Sequence, residues 1–141
     1  MFSSRAGLFF YDLQLQQLIQ LPKVQHSALA GNSFNETEAA KAYDITFVGQ
    51  RYYIGTNDGV FSFSEQHLID FVQGKLTEIP YQVALENISV WQLLTLKNII
   101  YVATTDGLYR VDSDNQQSEY LFKFGQYFKS VADGRGKSAL D

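Results

Sequence analysis

Two nine-residue stretches decide the fold: Tyr53–Phe61 has the sequence YIGTNDGVF, and Tyr101–Tyr109 has the sequence YVATTDGLY. They align without a gap at an offset of 48 residues, from position 53 to position 101, with four identical positions. A weaker third copy opens the chain at an offset of 52 residues, from position 7 to position 59, and retains Gly7, Leu8 and Asp12. Recurrence at nearly equal spacing is the signature of a repeat architecture.

Each copy has the composition of a β-hairpin. An apolar run rich in Tyr, Ile and Val leads into Asn-Asp-Gly or Thr-Asp-Gly, and a second apolar run follows. Asp and Gly at this corner supply the left-handed backbone conformation that a tight hairpin requires. The small residues Ser3, Gly55 and Ala103 occupy one matching position of the copies, which predicts that another sheet packs closely there.

The flanking sequence completes a four-stranded unit, whose strands we label A to D. Strand A is Asp44–Val48 in one copy and Ile88–Leu96 in the next, B is the run before the Asp-Gly corner, and C is the run after it. Strand D is predicted at residues 75–80, 119–125 and, in the opening copy, 17–22. Four antiparallel strands per repeat of about 40 to 50 residues is typical of a β-propeller blade. The predicted fold class is therefore all-β, built from propeller blades.

The chain is predicted to be a single domain, residues 1–141, with three blades. Two blades span residues 43–81 and 87–126. The first is predicted to be split between the ends of the chain, with residues 1–25 supplying strands B to D and residues 129–141 supplying the missing strand A.

Three blades cannot close a ring, because propellers typically have four to eight. We therefore expect self-association through the terminal strands, most simply as a homodimer that forms a six-bladed ring. The alternatives are that the chain is a piece of a longer propeller, or that its edges pair with a different protein.

Two segments fit the four-stranded scheme poorly. Residues 26–42 are small and polar and predict an inserted loop. Residues 65–73 carry apolar side chains at Leu68, Phe71 and Val72, a spacing that fits either a short helix or an extra strand.

Composition excludes several classes of function. Fifteen acidic against eleven basic residues give a net charge of −4, which argues against a nucleic-acid-binding protein. No window approaches the roughly 18 to 20 apolar residues of a membrane helix. The absence of cysteine excludes disulfides and thiolate chemistry. The first residues have no clear signal-peptide pattern, which slightly favours the cytoplasm and leaves the compartment open.

No motif predicts catalysis, a metal or a cofactor. His26 and His67 lie in the two irregular segments, without a nucleophile-elbow motif nearby. Asp112–Asn115 begins like a calcium loop, but it lacks the following Gly and the Glu at the twelfth position, so we interpret it as a polar C–D turn.

A recognition surface is the remaining possibility. In an up-and-down meander, the B–C turns and the starts of the A strands lie at the same end, so polar turn residues should converge there beside the aromatics Tyr43 and Trp91. Such a surface suits a carbohydrate or a peptide. The candidate ligand-binding residues are Arg5, Asn57, Asp58, Trp91, Thr105 and Asp106.

At these hairpins the chain resembles the repeats of two-component regulator propellers. The resemblance rests on YYIGTNDGVFSFS (residues 52–64), IIYVATTDGLYRVDSD (residues 99–114) and the tail SVADGRGK (residues 130–137). In that family such repeats form the extracytoplasmic sensor portion of hybrid signalling proteins and are often implicated in carbohydrate sensing. This chain departs from the family because it shows no transmembrane, kinase or DNA-binding segment.

These observations together predict a non-catalytic, sensor-like binding or interaction module. One alternative is an enzyme whose site forms only in the assembled ring, which strands A argue against because they are nearly devoid of ionisable side chains. Another is a structural fragment of a larger sensor or complex.

Overall fold

The strands form three antiparallel sheets in a computed structural model that describes residues 1–4, 7–22, 24 and 40–122. The strands of the first sheet are β1 (Phe2–Ser4), β2 (Gly7–Asp12) and β3 (Gln17–Gln20). Those of the second sheet are β4 (Ala42–Val48), β5 (Arg51–Thr56), β6 (Gly59–Ser64) and β7 (Gln82–Glu86). Those of the third sheet are β8 (Val90–Leu96), β9 (Ile99–Thr104), β10 (Leu108–Asp112) and β11 (Ser118–Phe122).

Every sheet follows chain order, so neighbouring strands are joined as an up-and-down meander. Strands β4–β7 and β8–β11 are strands A to D of two blades, and β1–β3 are strands B to D of the opening one. The predicted all-β fold of propeller blades is confirmed. Residues 129–141, predicted to supply the missing strand A, lie outside the described residues, as do residues 26–39 of the predicted inserted loop. The split first blade stays a prediction.

Strand D of the second sheet lies at Gln82–Glu86, and its prediction at residues 75–80 was wrong. That segment is part of an irregular connection that buries Ile79 in the core. Pro80 has no N–H to donate to a β-ladder, which disfavours pairing at this point. The sheet thus extends from residue 42 to residue 86, beyond the predicted end of the blade at residue 81.

Residues 65–73 form a helix rather than an extra strand. Helix α1 (Glu65–Val72) is capped by Ser64, whose hydroxyl accepts a hydrogen bond from the His67 amide at 3.1 Å. The helix buries Leu68 and packs Phe71 and Val72 against the same core, as expected from their helical spacing.

The second sheet is buried on both faces. Successive residues of a strand point to opposite faces, so Ile54 packs toward the first sheet and Tyr53 toward the third. Both side chains are fully buried. In β6, Phe61 and Phe63 pack with the first sheet, whereas Val60 packs with the third. This sheet therefore joins two hydrophobic cores, one on each side.

The two cores repeat the same packing scheme at the 48-residue offset. Each sheet has two faces, which we name by their position along the chain. The trailing face lies toward the preceding sheet, and the leading face is the opposite face. The trailing face of the second sheet contributes Ala42, Ile45, Tyr52, Ile54 and Phe63 to the first core. The trailing face of the third sheet contributes Val90, Leu93, Ile100, Val102 and Val111 to the second core. Each residue of one set lies 48 positions from its counterpart, so the sequence repeat is also a packing repeat.

Strands β4 and β8 lie side by side as the A strands of neighbouring blades. The Asp44 carboxylate accepts a hydrogen bond from the Leu93 amide at 2.8 Å. Two residues further along both strands, the Thr46 and Thr95 hydroxyls are hydrogen bonded at 2.6 Å. Because both contacts advance by two residues in the same direction, the two strands run parallel across the boundary between the sheets.

Gly55 allows this close approach. A Cβ at this position would lie 2.7 Å from Val90 Cγ1, inside van der Waals contact. The close packing predicted from the small residues is therefore confirmed at Gly55.

Replacing Gly55 by alanine is expected to lower the free energy of unfolding by about 1 to 3 kcal/mol, because the added methyl overpacks the second core. Urea denaturation followed by circular dichroism measures this change. In a Val90→Ala background the same substitution should cost clearly less. The matched control is Ala103→Gly at the equivalent position, which should lose only about 0.5 to 1 kcal/mol. Equal stability of Gly55→Ala and the unaltered chain would contradict the close contact.

Candidate functional site

The turns that join β5 to β6 and β9 to β10 lie at one end of the sheets, which we call the turn end. Strands β4 and β8 begin at this end, because Ala42 pairs with Thr56 and Val90 pairs with Thr104. The predicted convergence of the B–C turns with the starts of the A strands is therefore observed in the second and third sheets.

Each of these turns is organised by a buried threonine. The Thr56 hydroxyl donates to the Gly59 carbonyl at 2.8 Å and accepts from the Asp58 amide at 3.0 Å. The Thr104 hydroxyl donates to the Gly107 carbonyl at 2.8 Å and accepts from the amides of Asp106 at 3.1 Å and Gly107 at 3.0 Å. The threonines are fully buried. The two threonines occupy the same position of the repeat, and this identity is the sequence signal for their role. The sequence-based prediction of the turn rests on the Asp-Gly corner alone.

Positive φ in these two turns is confined to the glycines that follow them. Gly59 has φ +123° and Gly107 has φ +144°. A Cβ at Gly59 would lie 2.0 Å from the Leu85 carbonyl oxygen, so that position also requires glycine for space. The expectation that the aspartate shares the left-handed conformation was wrong, because the threonine hydroxyl supplies the local hydrogen bonds instead.

Asn57 and Asp58 carry structural contacts at the turn end. The Asn57 side-chain oxygen accepts from the Lys41 amide at 2.8 Å, and its own amide donates to the Lys41 carbonyl at 3.1 Å. The Asp58 carbonyl accepts from the Asn87 amide at 3.2 Å. Asn57 therefore extends the pairing of β4 with β5, and its oxygen is already engaged within the fold.

In the third sheet, Thr105 and Asp106 are exposed at the turn end. The Thr105 amide donates to the Ser89 carbonyl at 3.0 Å. The Asp106 carboxylate accepts a hydrogen bond from the Tyr109 hydroxyl at 3.3 Å. Burial raises the pKa of Tyr109, and the adjacent Asp106 charge raises it further, which favours the protonated phenol that donates this hydrogen bond. This phenol orients an exposed carboxylate.

Tyr43 and Trp91 occupy matching irregularities of the two A strands. The pairing of β4 with β5 shifts register between Ala42 and Asp44, and that of β8 with β9 shifts between Val90 and Gln92. Each shift leaves one extra residue, and these two residues are 48 positions apart. Their side chains are 54% and 62% exposed, respectively. A β-bulge re-aims the side chain of its extra residue, which explains why two large aromatics face solvent here.

The bulges were not foreseen from the sequence. The sequence predicts Trp91 as a ligand-binding residue and Tyr43 only as a neighbour of the site, although aligning the A strands at the repeat offset places the two rings at one position. Asp44, the next residue of β4, has both carboxylate oxygens engaged, one with the Ile45 amide at 2.9 Å and the other with the Leu93 amide across the sheet boundary. Its carboxylate therefore joins the A strands of two neighbouring blades.

The turn end therefore brings together five of the six candidate residues, and Arg5 lies outside the described residues. Among the residues that the structure describes, no group of three or more His, Cys, Asp or Glu side chains is placed to hold a metal ion. Within the same ranges, no helix has the length and apolar character needed to cross a membrane.

Comparison with solved structures finds eight matching chains, and two of them are of low similarity, as follows. No family model matches the chain, and no curated protein matches it. The chain is similar to a chain in the structure of S. cerevisiae Dbp5 bound to Nup159, Gle1, IP6 and ADP. The identity is 15% and the TM-score is 0.45, and the match covers 61% of this chain and 21% of the other chain. It is also similar to the N-terminal domain of Nup159, with 15% identity, a TM-score of 0.44 and the same coverage. The chain spans about a fifth of each, and a similarity this low carries no argument about function.

Replacing Thr104 by valine is expected to lower the free energy of unfolding by about 1 to 3 kcal/mol, because two turn amides lose their acceptor inside a buried corner. Urea denaturation measures the loss, and faster hydrogen exchange at the Gly107 amide would locate it. Thr105→Val is the matched control, since that neighbouring side chain is exposed and should change stability by less than about 0.5 kcal/mol. Equal effects of the two substitutions would contradict the role of the Thr104 hydroxyl.

Proposed function

We propose that this protein is a non-catalytic binding module that recognises a carbohydrate at the turn end. The observation that carries the proposal is the pair of equivalent bulges that present Tyr43 and Trp91 to solvent. An exposed aromatic ring does not contribute the stabilising free energy that its burial would give. This fold exposes such a ring at the same position of two successive blades, which is typical of a binding surface.

The chemistry of this end suits a sugar. Flat aromatic rings offer contact area for the apolar face of a pyranose, and nearby polar groups orient its hydroxyls. The exposed Asp106 carboxylate, held by Tyr109, and the exposed Thr105 hydroxyl supply such groups. Asn57 and Asp58 extend the surface into the second blade.

The arrangement of Asp44 supports binding rather than catalysis. It is the acidic residue of strand β4, and its carboxylate accepts backbone hydrogen bonds on both oxygens. A carboxylate used in this way has a structural role, because it joins the A strands of two blades. This observation disfavours the alternative of an enzyme active in an assembled ring.

A peptide is the second candidate ligand. The same rings would hold apolar or proline side chains, and the net charge of −4 favours a basic peptide over an acidic one. The resemblance of the hairpins to two-component regulator propeller repeats supports the sugar, and a sensing role is proposed on that resemblance alone.

The single tryptophan makes the proposal directly measurable, because Trp91 is the only one in the chain. Titration with glucose, galactose and mannose oligosaccharides should shift or quench its fluorescence saturably for at least one of them. Tyr43→Ala should weaken that binding at least about tenfold, the effect of losing one good contact of about 1.4 kcal/mol. Isothermal titration calorimetry extends the test to Trp91→Ala, where the fluorescent reporter is lost.

Phe47→Ala is the matched control, because Phe47 is an exposed aromatic on the same strand β4 at the end away from the turn end, and binding should stay within about twofold of the unaltered chain. Saturable binding of a basic proline-rich peptide, with no sugar bound, would replace the carbohydrate by the peptide. No response to either ligand class, or binding unaffected by Tyr43→Ala, would overturn the assignment to the turn end.

A further inference from the structure

The leading face of the third sheet exposes several apolar side chains. Strand pairing places Leu94 beside Tyr101, and Leu96 beside Ile99, on the side away from the second sheet. Leu94 is 56% exposed and Leu96 is 57% exposed. Leu108, on β10, shares the face.

This face repeats one that is already buried inside the molecule. At the 48-residue offset, Leu96, Tyr101 and Leu108 correspond to the leading-face residues Val48, Tyr53 and Val60 of the second sheet. Those three pack in the second core against the trailing face of the third sheet. Leu94 corresponds to Thr46 and Arg110 to Ser62, so the exposed face carries one additional apolar residue and one additional charge compared with its buried counterpart. The interface between the second and third sheets thus shows what covers such a face, namely the trailing face of another blade.

The first sheet carries a trailing face of this kind. Its opposite side buries Leu8 against the second sheet. On the trailing side, Tyr11 pairs with Leu18, and these side chains are 44% and 56% exposed. At the 52-residue offset of the opening copy, Tyr11 corresponds to Phe63. Phe63 lies on the trailing face of the second sheet and is fully buried.

The two exposed faces cannot meet within one chain. The second sheet lies between the first and the third and is covered by both, so the trailing face of the first sheet and the leading face of the third point away from each other. Contact between them requires two molecules.

We propose that two copies of this chain associate head to tail, with the third-sheet leading face of each packed on the first-sheet trailing face of the other. Two copies related by a two-fold rotation form this contact twice, which closes them into a ring of six blades. Arg110 also lies on this third-sheet face, since it pairs with Tyr101, and its ion pair with Glu119 at 3.9 Å would place charge on the β10–β11 side of the interface. This association is independent of the ligand proposed for the turn end.

Solution mass tests the association. Light scattering after size-exclusion chromatography should give about twice the 16.0 kDa of one chain. Leu96→Arg and Leu18→Arg, one on each proposed face, should each raise the dissociation constant at least about thirtyfold, as expected for a central contact worth 2 kcal/mol. Ile69→Arg, on the exposed side of helix α1, is the matched control and should leave the dimer intact. Circular dichroism confirms that each variant is folded.

Mixing the two face variants tests the head-to-tail geometry. A Leu18→Arg chain retains an intact third-sheet face, and a Leu96→Arg chain retains an intact first-sheet face. An equimolar mixture should therefore recover heterodimers through one unaltered interface, although each variant alone is monomeric. A monomeric unaltered chain would overturn the proposal. A dimer that either variant leaves intact, or a mixture that recovers no heterodimer, would also overturn it.

Discussion

The burial of the second sheet on both faces is the constraint on which the rest of the structure depends. A sheet with one solvated face alternates buried and exposed residues, whereas β5 and β6 are buried on both sides of the strand. Such a strand pair requires a partner sheet on each side, and the chain supplies them before and after it. The stacking also brings β8 so close that a Cβ at residue 55 would overlap Val90, which favours glycine at this position.

Much of this architecture could be predicted from the sequence, because the repeat imposes it. The offset between Tyr53 and Tyr101 identified the hairpins and the blade period, and the small residue at position 55 indicated the neighbouring sheet. Strand D of the second sheet was misplaced because residues 75–80 have strand-like composition, whereas a helix capped by Ser64 occupies the connection before them. Local sequence propensity does not distinguish that helix from an extra strand, because the helix is stabilised by burying Leu68 in the tertiary core.

The position of the candidate site could be predicted from the sequence, but the hydrogen bonds and bulges that build it could not. Meander topology alone places the turns and the starts of the A strands at one end. The sequence pattern pointed to Asp58 and Asp106, whereas the hydrogen bonds assign turn construction to Thr56 and Thr104. The bulges at Tyr43 and Trp91 could not be derived from alternation, because a bulge is a local departure from it. What distinguishes these two aromatics is a shared register position in the repeat.

The contact between Gly55 and Val90 tests the stacking of the sheets most directly. A nuclear Overhauser spectrum of the protein with labelled valine methyl groups would report it, since the effect requires protons within about 5 Å. The stacking predicts a strong cross-peak between the Gly55 α-protons and a Val90 methyl, because the glycine has no side chain between them. A spectrum in which the Val90 methyls contact only residues of the third sheet would contradict the packing of one blade on the next.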